Sequence, residues 1–148
     1  MVVSENEQAV DRPTLYERMG GDPQFQLIVG NFFDEMVEDA RLGKFFKHAP
    51  MRALVAHQLK FYRVVFGPER ERPDQEVYWD YMLRTHARLF RDLGLDETHF
   101  DMVAVSFVQG LQTMQYEQGI IDECVVLLSP LRQIFENGAK MAAKEKLM

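Results

Sequence analysis

The amino-acid sequence predicts an all-α protein. Apolar residues recur at the three- and four-residue spacing of helices, and start and stop signals divide the chain into segments of helical length. No stretch shows the sustained alternation of apolar and polar residues, bounded by hairpin turns, that is typical of strands. A chain of 148 residues that is 47% hydrophobic and 27% charged fits one globular domain with one sizeable core.

Start signals define the first three helices. The letters TLYE, residues 14–17, form a capping box, and a pair of glycines then ends this short helix. Asp22, which stands before a proline, predicts the cap of a second helix that runs to about Asp39. The segment DARLGKFFKHAP is too broken for more than one short turn. The third helix follows Pro50 and ends at Gly67 and the proline after it.

Three more helices are predicted in the second half of the chain. The charged stretch PERERPDQE indicates a solvated loop, after which a helix covers residues 77–92 and stops at a glycine. Asp96 caps the next helix, which is expected to continue to about Gln118. The last helix covers residues 122–137, and Pro130 is expected to kink it.

Charge and composition exclude several classes of protein. The chain has 23 acidic and 17 basic residues, which gives a net charge of −6. This charge provides no positive surface for the phosphates of a nucleic acid. No apolar run has the length of a membrane helix, and the single cysteine cannot form an internal disulfide. Since the amino terminus lacks the pattern of a secretion signal, a cytoplasmic location is expected. Polar tails are predicted at residues 1–13 and 139–148, on either side of one domain, residues 14–138.

Polar side chains interrupt two apolar helix faces. In LVAHQLKFYRVVFG, residues 54–67, a helical wheel places Gln58 near the middle of the apolar arc and His57 near its edge. In VYWDYMLRTHARLFRDL, residues 77–93, His86 lies at the centre of the apolar face. A buried amide without a partner costs about 1–3 kcal/mol, so Gln58 needs a partner in protein, water or ligand.

These inward-facing groups have two explanations. His86 alone is readily explained as a core histidine that is hydrogen-bonded to a backbone carbonyl. If its face confronts the face that carries Gln58, a flat apolar ligand that needs an axial base would fit between the two helices. A heme meets that description, because it needs apolar walls, an imidazole for its iron and a polar group on the opposite side.

Six pieces of the sequence resemble one family in composition and order. They are TLYERMGG, FFDEM, KFF, AHQLKFYRVVFG, MLRTHARL and HFDMV. Together they resemble the truncated hemoglobins of group 1, over about residues 14–135. The resemblance implies a 2-on-2 helical sandwich around heme b, the iron protoporphyrin IX that binds the diatomic gases O2, NO and CO.

The resemblance also implies residue roles. His86 matches the proximal histidine that binds iron, with its inner N–H bonded to a carbonyl one turn back. Gln58 matches the distal glutamine that stabilises the gas ligand. In cyanobacterial members, a histidine matching His57 becomes a sixth iron ligand, although this ring could equally turn outward to solvent or a propionate. The other implied heme contacts are Phe33, Phe46, Leu54, Phe61, Tyr62, Met82, Leu89, Phe100 and Val103, with Arg84 near a propionate. The alternative explanation for the apolar residues is ordinary core packing, and for Arg84 it is a solvated side chain at the surface.

Two features depart from the family pattern. The family usually has a tyrosine at the position of Phe33, and its hydroxyl reaches the bound gas. A hydrogen bond contributes about 0.5–1.5 kcal/mol, so oxygen is expected to be held less tightly here. The loop before the proximal helix is also unusual, which leaves the start of that helix open. His48 and His99 are predicted to lie at the surface and to bind no metal.

Three functions remain open from the sequence. The first is a gas-binding heme protein that carries out nitric oxide dioxygenation, with an unidentified external electron donor. The second is a redox or peroxide-handling heme protein or a gas sensor, and the third is a helical interaction module without a cofactor. A monomer or weak oligomer is expected in each case. A Soret band in the visible spectrum separates the first two from the third.

Overall fold

A computed structural model describes residues 12–147. No strand occurs in this range, which confirms the all-α class. Within the same residues, no helix has both the length and the apolar character needed to cross a membrane. The tail predicted at residues 1–13 lies almost entirely outside the described residues. The α-helices are α1 Leu15–Arg18, α2 Gly21–Glu38, α3 Met51–Val65, α4 Gln75–Leu93, α5 Glu97–Thr113, α6 Gln118–Leu128 and α7 Arg132–Leu147.

Two pairs of helices form the sandwich. Helix α2 packs against α3, α5 packs against α7, and α2 joins the two pairs by packing on α5. At the centre, Tyr62 of α3 stacks on Phe107 of α5 with ring centroids 5.1 Å apart. Phe25 and Val29 of α2 are fully buried beside them. Helix α4 lies outside these pairs and packs on α7, so its remaining apolar face is free to form the wall of a site.

The helix that carries His86 is capped at both ends. At its start, the Asp74 side chain accepts a 2.9 Å hydrogen bond from the backbone N–H of Glu76. At its end, Gly94 adopts a positive φ of 73°, and the N–H of Leu95 donates to the carbonyl of Leu89. The Asp74 cap answers the question of where the helix begins: it starts at Gln75, inside the charged stretch and two residues before the predicted start.

A glycine allows α4 to approach α7 closely. A Cβ atom at Gly138 would lie 2.3 Å from the ring of Phe90. Phe90 is itself buried, so its ring has little room to move aside. The centroid of the same ring lies 6.3 Å from that of the His86 imidazole. The absence of a side chain at Gly138 therefore fixes how deeply the His86 end of α4 sits in the molecule.

The predicted start of α2 and the predicted end of α5 are wrong. Helix α2 already begins at Gly21, so Asp22 does not cap it; its carboxylate accepts hydrogen bonds from Tyr16 and Arg63 instead. Helix α5 ends at Thr113 rather than near Gln118. It stops there because Gln115 adopts a φ of 65°, which reverses the chain beyond the helix end.

The prediction for the last helix is wrong at both ends. Pro130, which has no N–H to donate, breaks the segment with a short 3-10 turn, Ser129–Leu131, instead of kinking one helix. Helix α7 then continues to Leu147, through most of the predicted tail at 139–148, and buries Ala142 in the core. Alanine, lysine and glutamate favour helix strongly, so a polar segment of this composition forms a helix rather than an extended tail.

Candidate functional site

Two adjoining cavities lie between α3 and α4. Their volumes are about 440 and 410 Å³, each within the usual range for a cofactor pocket. We refer to them together as the slot, because they share seven lining residues. These are His57, Gln58, Thr85, His86, Phe100, Val103 and Phe135. A more open groove of about 930 Å³ lies elsewhere; half of its lining residues are charged and none is a histidine.

The imidazole of His86 is held in one orientation on the α4 wall. Its Nδ1 lies 2.8 Å from the carbonyl oxygen of Met82. A carbonyl can only accept, so Nδ1 carries the proton and Nε2 keeps its lone pair. Burial lowers the pKa of His86, against the opposing effect of the Met82 hydrogen bond, so the ring is neutral near pH 7. A neutral imidazole with a free Nε2 has the form that binds a metal ion.

The α3 wall carries two polar side chains, Gln58 and His57. Gln58 is half-buried and His57 is exposed, and both line both cavities. The Nε2 atom of His57 lies 3.4 Å from the hydroxyl oxygen of Tyr81, a residue of the opposite wall. His57 therefore lies at the mouth of the slot, where the two walls meet solvent.

Phe33 lies in the slot and offers it no polar atom. The residue is only 1% exposed, and its ring packs edge-on against Phe46 at 5.5 Å. Arg84, by contrast, is exposed at the rim, where its Nε donates to the carbonyl of Asp80.

Every residue that the sequence predicted as a heme contact lines one or both cavities. The first cavity is lined by Phe61, Tyr62, Met82 and Arg84, the second by Phe33, Phe46, Leu54 and Leu89, and both by Phe100 and Val103. The contact of each of these side chains with a cofactor stays a prediction.

Several residues of the slot were not predicted from the sequence, among them Phe135, Tyr81 and His99. Phe135 of α7 lines both cavities, with its ring 5.4 Å from that of His86. Tyr81 lines the mouth. His99, predicted at the surface, is largely buried beside Phe45, and its Nδ1 accepts from the N–H of Asp96 in a capping box. The spacing of Asp96 and His99 was a usable signal for this cap, whereas the other two required the packing of the helices.

The fold and the slot define a globin-type heme protein. The walls are apolar, a neutral imidazole with a free nitrogen stands on one of them, and a glutamine and a histidine stand on the other. These are the features that heme binding requires.

Comparisons with known proteins agree with this class. A family model described as bacterial-like globin matches residues 14–137. A group 1 truncated hemoglobin of Synechocystis sp. is 32% identical over 110 residues, 74% of this chain and 85% of the relative. The 2/2 hemoglobin of Synechococcus sp., solved in the cyanomet state with covalently attached heme, has a TM-score of 0.72 and 30% identity, covering 86% of this chain and 98% of that chain. Chlamydomonas reinhardtii THB4 has a TM-score of 0.70 and 32% identity, covering 83% of this chain and 94% of that chain.

The chain therefore belongs to the bacterial-like globin family, as a group 1 truncated hemoglobin. This confirms the resemblance and the 2-on-2 fold. The cofactor of the family is heme b, and its members bind diatomic gases such as O2. Within residues 12–147, the slot between α3 and α4, with the free nitrogen of His86 on one wall, fits the heme.

Proposed function

We propose that this globin binds O2 loosely and converts nitric oxide to nitrate, with His86 as the proximal iron ligand and His57 as a sixth ligand at rest. One observation carries the proposal. His86 stands on one wall of the slot, while Gln58 and His57 stand on the other, and all three line both cavities. An axial base and distal polar groups on opposite walls are the arrangement that a gas-binding heme needs.

The proximal side of the slot is built to hold the iron firmly. His86 presents Nε2 to the slot. The hydrogen bond from Nδ1 to the Met82 carbonyl holds the ring in this orientation and tautomer. The rings of Phe90 and Phe135 pack near the imidazole with centroids 6.3 and 5.4 Å away. Hydrogen bonding and packing therefore fix the orientation of the imidazole before any ligand binds.

The distal side is built to hold a gas loosely. The amide of Gln58 can donate one hydrogen bond to a bound gas, whereas Phe33 can donate none. When bound, heme supplies an iron centre at which one O2, one NO and one electron give one nitrate ion. Because the electron must be replaced for each turnover, the reaction requires an external electron donor. The surrounding apolar side chains exclude water from the reacting gases.

His57 is suited to act as the sixth ligand. It is exposed at the mouth and lines both cavities, so its imidazole stands beside the slot and its side chain is free to change rotamer. The lack of a hydroxyl on Phe33 favours this state further, because no hydroxyl organises a polar network around water or gas in the sixth position.

Restoring a hydroxyl at position 33 is expected to slow oxygen release. In Phe33→Tyr, a second donor beside Gln58 adds a hydrogen bond that contributes about 0.5–1.5 kcal/mol, which lowers the oxygen dissociation rate about twofold to tenfold. Stopped-flow measurement of oxygen release from the reduced protein checks this result. Phe25→Tyr is the matched control, since Phe25 is a buried residue of the same helix that lines neither cavity. An unchanged or faster release in Phe33→Tyr would count against the distal geometry.

Consumption of nitric oxide tests the proposed reaction. The reduced protein in air-saturated buffer is expected to remove nitric oxide rapidly and to yield one nitrate for each molecule removed. A chemical reductant should sustain the reaction over many turnovers. Saturation with carbon monoxide serves as the control, because it blocks the same iron. Removal no faster than in protein-free buffer, or formation of nitrite instead of nitrate, would exclude dioxygenation while leaving reversible gas binding in place.

A further inference from the structure

We propose that Tyr81 is a positioning residue that holds His57 at the mouth of the slot and opposes its binding to the heme iron. The inference rests on the proposed role of His57 as the sixth ligand. It assigns to Tyr81 the control of the balance between a slot open to gas and a slot closed by His57.

The contact between the two side chains involves the atom that matters for coordination. The hydroxyl oxygen of Tyr81 lies 3.4 Å from Nε2 of His57, a long hydrogen bond that joins α4 to α3. In one tautomer Nε2 accepts from the hydroxyl, and in the other Nε2–H donates to it. In both cases Nε2, the ring nitrogen farther from the backbone, must leave Tyr81 before its lone pair can bind a metal. The hydrogen bond and the iron bond therefore exclude each other.

Both side chains are exposed, but a neighbouring ring restrains that of Tyr81. Its ring stacks on that of Tyr78, with centroids 6.3 Å apart and planes inclined by 28°. Tyr78 in turn packs against the buried cluster of Met82, Leu131 and Ile134, which anchors the pair to α4 and α7. His57 is exposed on α3. Because His57 is the proposed ligand, coordination requires motion of His57, whose exposed side chain is free to change rotamer.

Removing the hydroxyl of Tyr81 is expected to favour coordination by His57. Tyr81→Phe keeps the ring and its stacking but cannot bond to Nε2. Because this hydrogen bond is long and exposed, its loss from the open state raises the equilibrium constant for His57 binding by only about twofold to threefold. The low-spin fraction of the ferric protein should rise accordingly. The association rate of carbon monoxide with the ferrous protein should fall by a similar factor, because the gas must wait for His57 to leave.

A double-mutant cycle on the heme-loaded protein tests the proposal. Absorption spectra give the ferric low-spin fraction, and flash photolysis gives carbon monoxide rebinding, for the native protein, Tyr81→Phe, His57→Ala and the double variant. The proposal expects Tyr81→Phe to change both quantities when His57 is present and neither when alanine replaces it. A purely structural role of Tyr81 would produce the same change in both backgrounds.

The outcomes separate this inference from the proposed function. If His57→Ala changes the spin state and Tyr81→Phe does not, or lowers the low-spin fraction, the role of Tyr81 is overturned and the sixth ligand stands. An equal effect of Tyr81→Phe with and without His57 also overturns it. If His57→Ala leaves the spectra and rates untouched, both proposals fail together.

Discussion

His86→Ala is expected to abolish stable heme binding. The substitution removes the nitrogen that we assign to the iron, and it leaves only apolar contacts to hold the cofactor. Loss of even an outer partner of a metal ligand costs about 10–100-fold in affinity, so loss of the ligand itself should speed heme dissociation by more than about 100-fold. Transfer of heme to an excess of an acceptor apoprotein, followed by absorbance, measures this rate.

Two controls distinguish the lost ligand from a damaged fold. His48→Ala removes another histidine that lines the slot, but this residue is exposed and its loss should leave retention unchanged. Added imidazole should restore a six-coordinate spectrum to His86→Ala if the cavity left by the side chain admits it. Circular dichroism reports whether the helices persist. Unchanged retention and an unchanged ferrous spectrum in His86→Ala would show that another residue binds the iron.

The sequence predicted the position of His86 because the relevant information is local. The apolar face of α4 repeats every three or four residues, so the inward direction of the side chain follows from helix geometry alone. Its hydrogen bond to Met82 also lies within one helical turn. The same argument placed Gln58 and His57 on the wall formed by α3. Caps are local as well, which is why the Asp96 cap was predicted correctly.

The features that the sequence did not predict depend on packing between distant segments. Phe135 reaches the slot only because α7 packs on α4, and that packing depends on the absence of a side chain at Gly138. No periodicity within one helix indicates either contact. The contact between Tyr81 and His57 is similar, since its members lie on opposite walls and Tyr81 alone resembles an ordinary surface residue. Helix ends were missed where tertiary contacts, such as the burial of Ala142, extend a helix.

His57→Ala is expected to convert the ferric protein from a low-spin to a high-spin or water-ligated state. Imidazole is a strong iron ligand, and alanine offers nothing in its place. If His57 occupies the sixth position in about 90% of molecules, only about one in ten is open to gas, so its removal speeds carbon monoxide binding about tenfold. Absorption spectroscopy near neutral pH measures the first effect, and stopped-flow mixing of the ferrous protein with carbon monoxide measures the second.

Lys60→Ala provides the matched control for this last prediction. Lys60 is the other exposed nitrogen base of α3 that lines the slot, one turn from His57. Its replacement should leave both the spin state and the binding rate as they are, and a low-spin spectrum that disappears in Lys60→Ala would identify the lysine as the ligand instead. A native ferric protein that is purely high-spin would exclude coordination by His57. Gln58 would then be the main distal polar group, and the outward position of His57 beside Tyr81 would be its resting state.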